Sequence, residues 1–91
     1  MKSETTEKFR RLFAAAPPER QARIRIAYRL WLSNPAHPSL RFKKVHSTLP
    51  IYSVRVDLDW RAIGLLRSDA VIWFWVGPHR EYDIMLKGLS R

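Results

Sequence analysis

Apolar positions change their spacing once along the chain. Up to residue 33 they recur every three or four positions; from residue 40 they alternate. Phe9, Leu12, Phe13 and Ala16 form one stripe of an amphipathic helix predicted over Thr5–Ala16, with Lys8, Arg10 and Arg11 on its other side. Pro17-Pro18 ends that helix, because proline lacks an amide donor and restrains the residue before it. Pro18 also suits the first position of a helix. A second helix is therefore predicted over Pro18–Ser33, with Ile24, Ala27, Tyr28 and Trp31 inward. Arg25, Arg29 and Ser33 take its outer side and read as a solvated face, and Ile26 falls outside the buried stripe. Two helices meeting at a Pro-Pro corner read as a helical hairpin.

Pro35 and Pro38 forbid regular structure over Asn34–Ser39. Leu40, Phe42 and Lys44 then alternate with Arg41, Lys43 and Val45. Tyr52, Val54, Val56 and Leu58 alternate with Ser53, Arg55 and Asp57, the clearest strand in the chain. A turn at Leu58-Asp59 leads into a strand over Trp60–Arg67, and Arg67-Ser68-Asp69 turns again. Ala70–Val76 is apolar on both faces and rich in β-branched and aromatic residues, as in a strand covered on both sides. Gly77-Pro78 is predicted to end it, and His79–Leu89 to form a short last helix. The expected fold is α+β: an N-terminal helical hairpin packed on a twisted sheet of three or four antiparallel strands, then a short C-terminal helix. With no linker or repeat, residues 1–91 read as one domain.

Composition narrows the function classes. There is no cysteine, which excludes disulfides, thiolate metal sites and cysteine nucleophiles and suits a reducing, cytoplasmic setting. The N-terminus is charged, with no apolar signal region, and the longest apolar run falls far short of the ~20 residues that span a bilayer. No membrane partner is expected. Seventeen Lys and Arg against eight Asp and Glu give a net charge of +9. Residues 1–34 hold eight basic and three acidic side chains, and residues 35–91 nine and five, so the excess is no detachable tail. Such a field attracts polyanions.

The three glycines stand apart at 64, 77 and 88, so no phosphate-binding loop exists. No metal-ligand pair or catalytic carboxylate dyad is evident, and no cofactor is expected. Basic and aromatic residues remain. With an odd number of intervening residues Arg55 and Arg61 face each other on one side of the sheet; an even number sets them apart. Opposed arginines repel on bare sheet. A phosphate between them explains the arrangement, and so does pairing with Asp57, Asp59 or Glu81. His79 follows the central strand and is the side chain there whose ordinary pKa suits proton transfer near neutrality, although a solvated loop histidine fits equally. Tyr82 offers a hydroxyl, a stacking ring or a cap on the core. His37 and His46 read as non-catalytic, and Trp60, Trp73 and Trp75 as core.

The order of these segments resembles the RelE/ParE superfamily of toxins from bacterial type II toxin–antitoxin modules. The resemblance is carried by Ala16-Pro17-Pro18-Glu19, a helix ending at Asn34-Pro35, Tyr52-Ser53-Val54-Arg55-Val56 followed by Trp60-Arg61, and Trp73-Phe74-Trp75-Val76-Gly77-Pro78-His79. His37–Val45 and Phe74–Asp83 are similar to a small-toxin branch. The resemblance covers about residues 7–86. Three features depart from it. Ser53 stands where one branch has lysine, Asp57-Leu58-Asp59 replaces a Gly-Asp turn, and Met1–Thr6 makes poor sequence for the family's first strand.

The resemblance implies a metal-free, ribosome-dependent endonuclease of messenger RNA, in which the 2′-hydroxyl attacks the adjacent phosphate. It assigns phosphate stabilisation to Arg55 and Arg61, acid–base work to His79, and base stacking or proton transfer to Tyr82. Arg41, Lys43, Lys44 and Arg80 would hold the RNA or ribosomal backbone. It further implies a cognate antitoxin partner. The alternatives are a ParE-type inhibitor of DNA gyrase without nuclease chemistry, and an inactive orphan that is only a basic binding module.

Overall fold

A computed structural model describes residues 1–89. In chain order the elements are β1 (Lys2–Thr5), α1 (Glu7–Ala15), α2 (Pro18–Ser33), a 3-10 turn (Pro38–Leu40), β2 (Lys43–Lys44), β3 (Ile51–Arg55), β4 (Trp60–Arg67), β5 (Ala70–Pro78) and α3 (His79–Leu89). The fold is α+β, with one sheet in the order β1-β5-β4-β3-β2. That sheet has five strands and is mixed: β1 runs parallel to β5, and the other pairs are antiparallel.

This corrects the expected sheet of three or four antiparallel strands. β1 forms from residues with almost no apolar signal because its pairing is backbone pairing. Its register runs from Lys2↔Ala70 to Thr5↔Trp73. Its inner anchor is polar, a hydrogen bond of 3.0 Å between the Tyr28 hydroxyl and Ser3 Oγ. Exposed Lys2 and Glu4 on this edge discourage further pairing. Thr6 caps α1, its hydroxyl accepting from Phe9 N at 3.1 Å, so the helix starts two residues later than the periodicity suggests.

The predicted alternation from Leu40 yields little strand. Leu40 closes a 3-10 turn, and Arg41 takes a left-handed conformation (φ 46°), so pairing begins only at Lys43. The predicted facing survives: Leu40 and Phe42 join the core under the helices, while Val45 joins the opposite core.

The sheet separates two apolar clusters. On one face α1 and α2 cover Val54, Ala62, Trp73 and Val76. On the other, α3 covers Ile51, Ile63 and Trp75. A bulge makes this division. Ile63 pairs with Trp75 but Gly64 pairs with Trp73, leaving Phe74 as the extra residue. Trp73 and Trp75 therefore point to opposite faces, where strict alternation would stack them on one. Trp31 of α2 meets Trp73 edge-on, with centroids 5.2 Å apart. Among the described residues, no helix is long and apolar enough to cross a membrane.

Candidate functional site

The α3 side of the sheet carries the candidate chemistry, at the end where α3 begins. Five residues separate Arg55 from Arg61, and the two are direct partners in the β3–β4 ladder. Directly paired residues share a face, so both guanidiniums lie on the Ile63–Trp75 side. Arg61 in turn pairs with Gly77 on β5. A Cβ at Gly77 would lie 2.8 Å from Cζ2 of Trp75, so the glycine lets that indole lie close against the β5 backbone.

Neither arginine is neutralised. Among the described residues no carboxylate comes within 4.0 Å of the Arg55 or Arg61 side chain. The acids expected to pair with them are engaged elsewhere: the Asp57 carboxylate accepts from Arg20 Nη1 of α2 at 2.6 Å, and Asp59 lies 3.7 Å from Arg20 Nη2. Arg61 instead donates from Nη1 to the backbone carbonyls of Asp57 (2.8 Å) and Trp60 (3.1 Å), which fixes its direction without cancelling its charge. Partial burial lowers the Arg61 pKa, and the positive charges of Arg55 and Arg41 act in the same direction. Tyr82 and Asp57 oppose the shift.

His79 is the first residue of α3, not a loop residue, because β5 continues through Gly77-Pro78. Its amide donates to the Asp59 carbonyl at 2.6 Å, tying the helix start to the β3–β4 turn. Its Nδ1 lies 3.4 Å from the Asp83 carboxylate one turn on, with both side chains about half exposed. Tyr82 packs with its ring centroid 5.4 Å from His79 and 6.4 Å from Trp75, and is buried. Its ring is thus committed to protein contacts, and it lies within range of the Arg61 charge.

Arg55, Arg61, Tyr82 and His79 are therefore connected, by ladder pairing, by charge and by ring contact in turn. Arg41 contributes to the same positive field. Lys43 pairs with Ser53, which lies beside Arg55 on the same face, and is exposed. Lys44 pairs with Tyr52 and points to the helix-covered face. Arg80 is exposed and stands two positions before buried Tyr82, on the outer side of α3. These two do not join the cluster. The other histidines hold structure. His37 Nδ1 caps the 3-10 turn, and His46 joins the β2–β3 loop to the Leu89 carbonyl at 2.9 Å. Among the described residues, no three His, Asp or Glu side chains are grouped to hold a metal ion.

Arg20 is the residue that sequence reasoning missed. It also lies over the Trp60 ring at 5.7 Å. A cleft of about 650 Å³ opens beside it between α2 and the β3–β4 turn and includes Arg55 in its wall, but not Arg61, His79 or Tyr82.

Comparison with known proteins gives consistent relatives. The profile described as a ParE-like toxin domain matches residues 20–84. No curated protein matches the chain. Among solved structures, YafQ from E. coli strain BL21(DE3) superposes with a TM-score of 0.71 at 15% identity, covering 88% of this chain and 94% of that one. The RelB–RelE antitoxin–toxin complex of Methanococcus jannaschii gives 0.70 at 19% identity, covering 89% and 96%. The E. coli DinJ–YafQ complex gives 0.70 at 16% identity, covering 87% and 93%. At these identities the superpositions establish a shared fold.

Proposed function

Because the chain belongs to the ParE-like toxin family, we propose that it is the toxin of a type II toxin–antitoxin module and that it cleaves messenger RNA on the ribosome. The observation that supports this most is the Arg55–Arg61 pair: two opposed cations with no carboxylate partner among the described residues, linked through Tyr82 to the exposed imidazole of His79. Like charges opposed on a sheet are destabilising. A phosphodiester between them turns that cost into binding.

In this reading the RNA 2′-oxygen attacks the adjacent phosphorus, the bond to the 5′-oxygen breaks, and a cyclic phosphate and a free 5′-hydroxyl result. Arg55 and Arg61 stabilise the charge that builds on the non-bridging oxygens, where rigid donors act most strongly. Arg61 is held by two carbonyls, so it needs little reorganisation as the charge develops. Asp83 orients the His79 ring through Nδ1 and leaves Nε2 to deliver a proton to the departing 5′-oxygen. The 2′-hydroxyl proton leaves to water, with the Tyr82 hydroxyl as a hydrogen-bond partner. Arg41 and Lys43 hold the backbone on either side without reading sequence. A cognate antitoxin with an acidic, amphipathic segment would neutralise the same face. The RelB–RelE and DinJ–YafQ complexes show this fold in antitoxin-bound proteins.

The ParE-like description of the matched family favours a second reading, inhibition of DNA gyrase by binding alone. Primer extension on messenger RNA after induction separates the two. Discrete cuts with the wild type and none with Arg61→Ala support the nuclease. Intact messenger RNA together with DNA damage supports the gyrase reading, and unimpaired growth supports an inactive binding module.

A further inference from the structure

The β3–β4 turn brings a carboxylate to the edge of the cationic site and then holds it away. Asp57 is the residue whose backbone carbonyl accepts from Arg61 Nη1 at 2.8 Å, so its own side chain starts within reach of that guanidinium. Both carboxylate oxygens are occupied. Oδ1 accepts from the amides of Asp59 (2.8 Å) and Trp60 (3.0 Å), closing the turn. Oδ2 accepts from Arg20 Nη1 at 2.6 Å, with the Arg20 and Asp57 side chains largely buried at 28% and 19% exposure. Arg20 comes from α2, thirty-seven residues away, and is steadied by the Trp60 ring beneath it.

We propose that Arg20 is a positioning residue that sequesters the Asp57 carboxylate and thereby keeps Arg61 and Arg55 available to an anionic ligand. A carboxylate freed from Arg20 at this turn has the partly buried Arg61 guanidinium, which lacks a carboxylate partner among the described residues, as the next cation beside it. Arg20 offers a better-placed cation and removes that option. The Asp57 pKa lies below the ordinary carboxylate value; burial acts to raise it, and the amides and Arg20 overcome that. Asp57 therefore stays ionised, and its charge must be placed somewhere. The inference rests on the phosphate-binding reading of the arginine pair for its consequence, but not for the device itself.

The test uses Arg20→Gln, Asp57→Asn and the double variant, which has the wild-type net charge. Two readouts are taken: binding of a labelled 2′-O-methyl RNA oligonucleotide, which cannot be cleaved, and the side-chain Nε–Hε resonance of Arg61. Arg20→Gln is expected to shift that resonance and to weaken RNA binding about tenfold, the size of one charge-assisted contact. Asp57→Asn keeps the turn-closing oxygen, so alone it leaves both readouts near wild type, and in the double variant it restores them. If Arg20 only braced the turn, Asp57→Asn would cost as much as Arg20→Gln and the double variant would not recover. That result, or an unmoved Arg61 resonance in Arg20→Gln, overturns the proposal. A resonance that shifts and recovers while RNA affinity stays constant upholds the sequestration and overturns the RNA reading of the site.

Discussion

Arg55 and Arg61 stand directly across the β3–β4 ladder from each other, and neither has a carboxylate within 4.0 Å among the described residues. Directly opposed like charges cost a sheet a few tenths to about 1 kcal/mol. Arg55→Gln is therefore expected to raise the melting temperature slightly while lowering messenger RNA cleavage. Sulfate should stabilise the wild type more than the variant, because only the wild type offers two guanidiniums to one anion. A variant that melts lower than wild type, or an equal response to sulfate, would show that the pair is not a strained anion cradle.

Acid–base work by His79 predicts a different signature. His79→Ala is expected to lower cleavage about 10²- to 10⁴-fold, the usual range for a lost general acid. It should leave RNA binding nearly intact, because Arg55, Arg61, Arg41 and Lys43 remain. Asp83→Asn keeps the ring in place with a weaker partner, so its loss should be smaller. Single-turnover cleavage measured beside oligonucleotide binding separates these effects. Equal loss of binding and cleavage in His79→Ala would make the imidazole a contact and not an acid.

How much of the fold and the site was legible in the sequence depended on whether a contact was local. α2 spans Pro18–Ser33 as the prolines and the helical period predict, and α3 starts at His79 as expected, although β5 runs on through Gly77-Pro78 instead of ending there. The Arg55–Arg61 pairing stayed open in the sequence, because the position of the turn decides whether the two share a face; the ladder pairs them directly. β1 was obscured because Lys2–Thr5 pair through the backbone and show no apolar rhythm. The opposite facing of Trp73 and Trp75 was hidden by the bulge at Phe74, which breaks the two-residue period inside an unbroken strand. Lys43 and Lys44 divide between the two faces as alternation requires, so only one of them could serve the site. Arg20 carried no local mark at all, since its role is defined by Asp57 thirty-seven residues on.

Asp57 also sets an expectation for acid stability. Its ordinary pKa is 3.8, and the folded value lies lower. Burial opposes that shift, and it is outweighed by the Asp59 amide, the Arg20 guanidinium and the Trp60 amide. A depressed carboxylate contributes stability that is complete above the unfolded value and is lost as pH falls through the folded one. The wild type should therefore lose stability below about pH 4, with the Arg20 and Arg61 guanidiniums as the cations facing the turn. Asp57→Asn should flatten that part of the profile and lower stability at neutral pH. Urea unfolding between pH 2 and 7 reads both effects. An unchanged acid limb in the variant would assign it to other carboxylates.

Gly64 tests the packing that holds β4 against β5. A Cβ there would lie 2.5 Å from Cγ1 of Val71 and 2.8 Å from Cε3 of Trp73. Neither neighbour can yield, since both are buried and Trp73 is held edge-on by Trp31. Gly64→Ala is therefore expected to destabilise by about 1–3 kcal/mol, more than the few tenths gained from a stiffer unfolded chain. In a domain of this size that corresponds to a fall in melting temperature of roughly 4–8 °C per kcal/mol. Gly88 lies in α3, where an added Cβ would meet nothing within 4 Å, so the same substitution there only improves helix propensity. Gly88→Ala should accordingly raise stability by up to about 1 kcal/mol. Opposite signs for one chemical change at two positions would tie the first effect to the Val71–Trp73 contact, and equal signs would show that backbone entropy decides both.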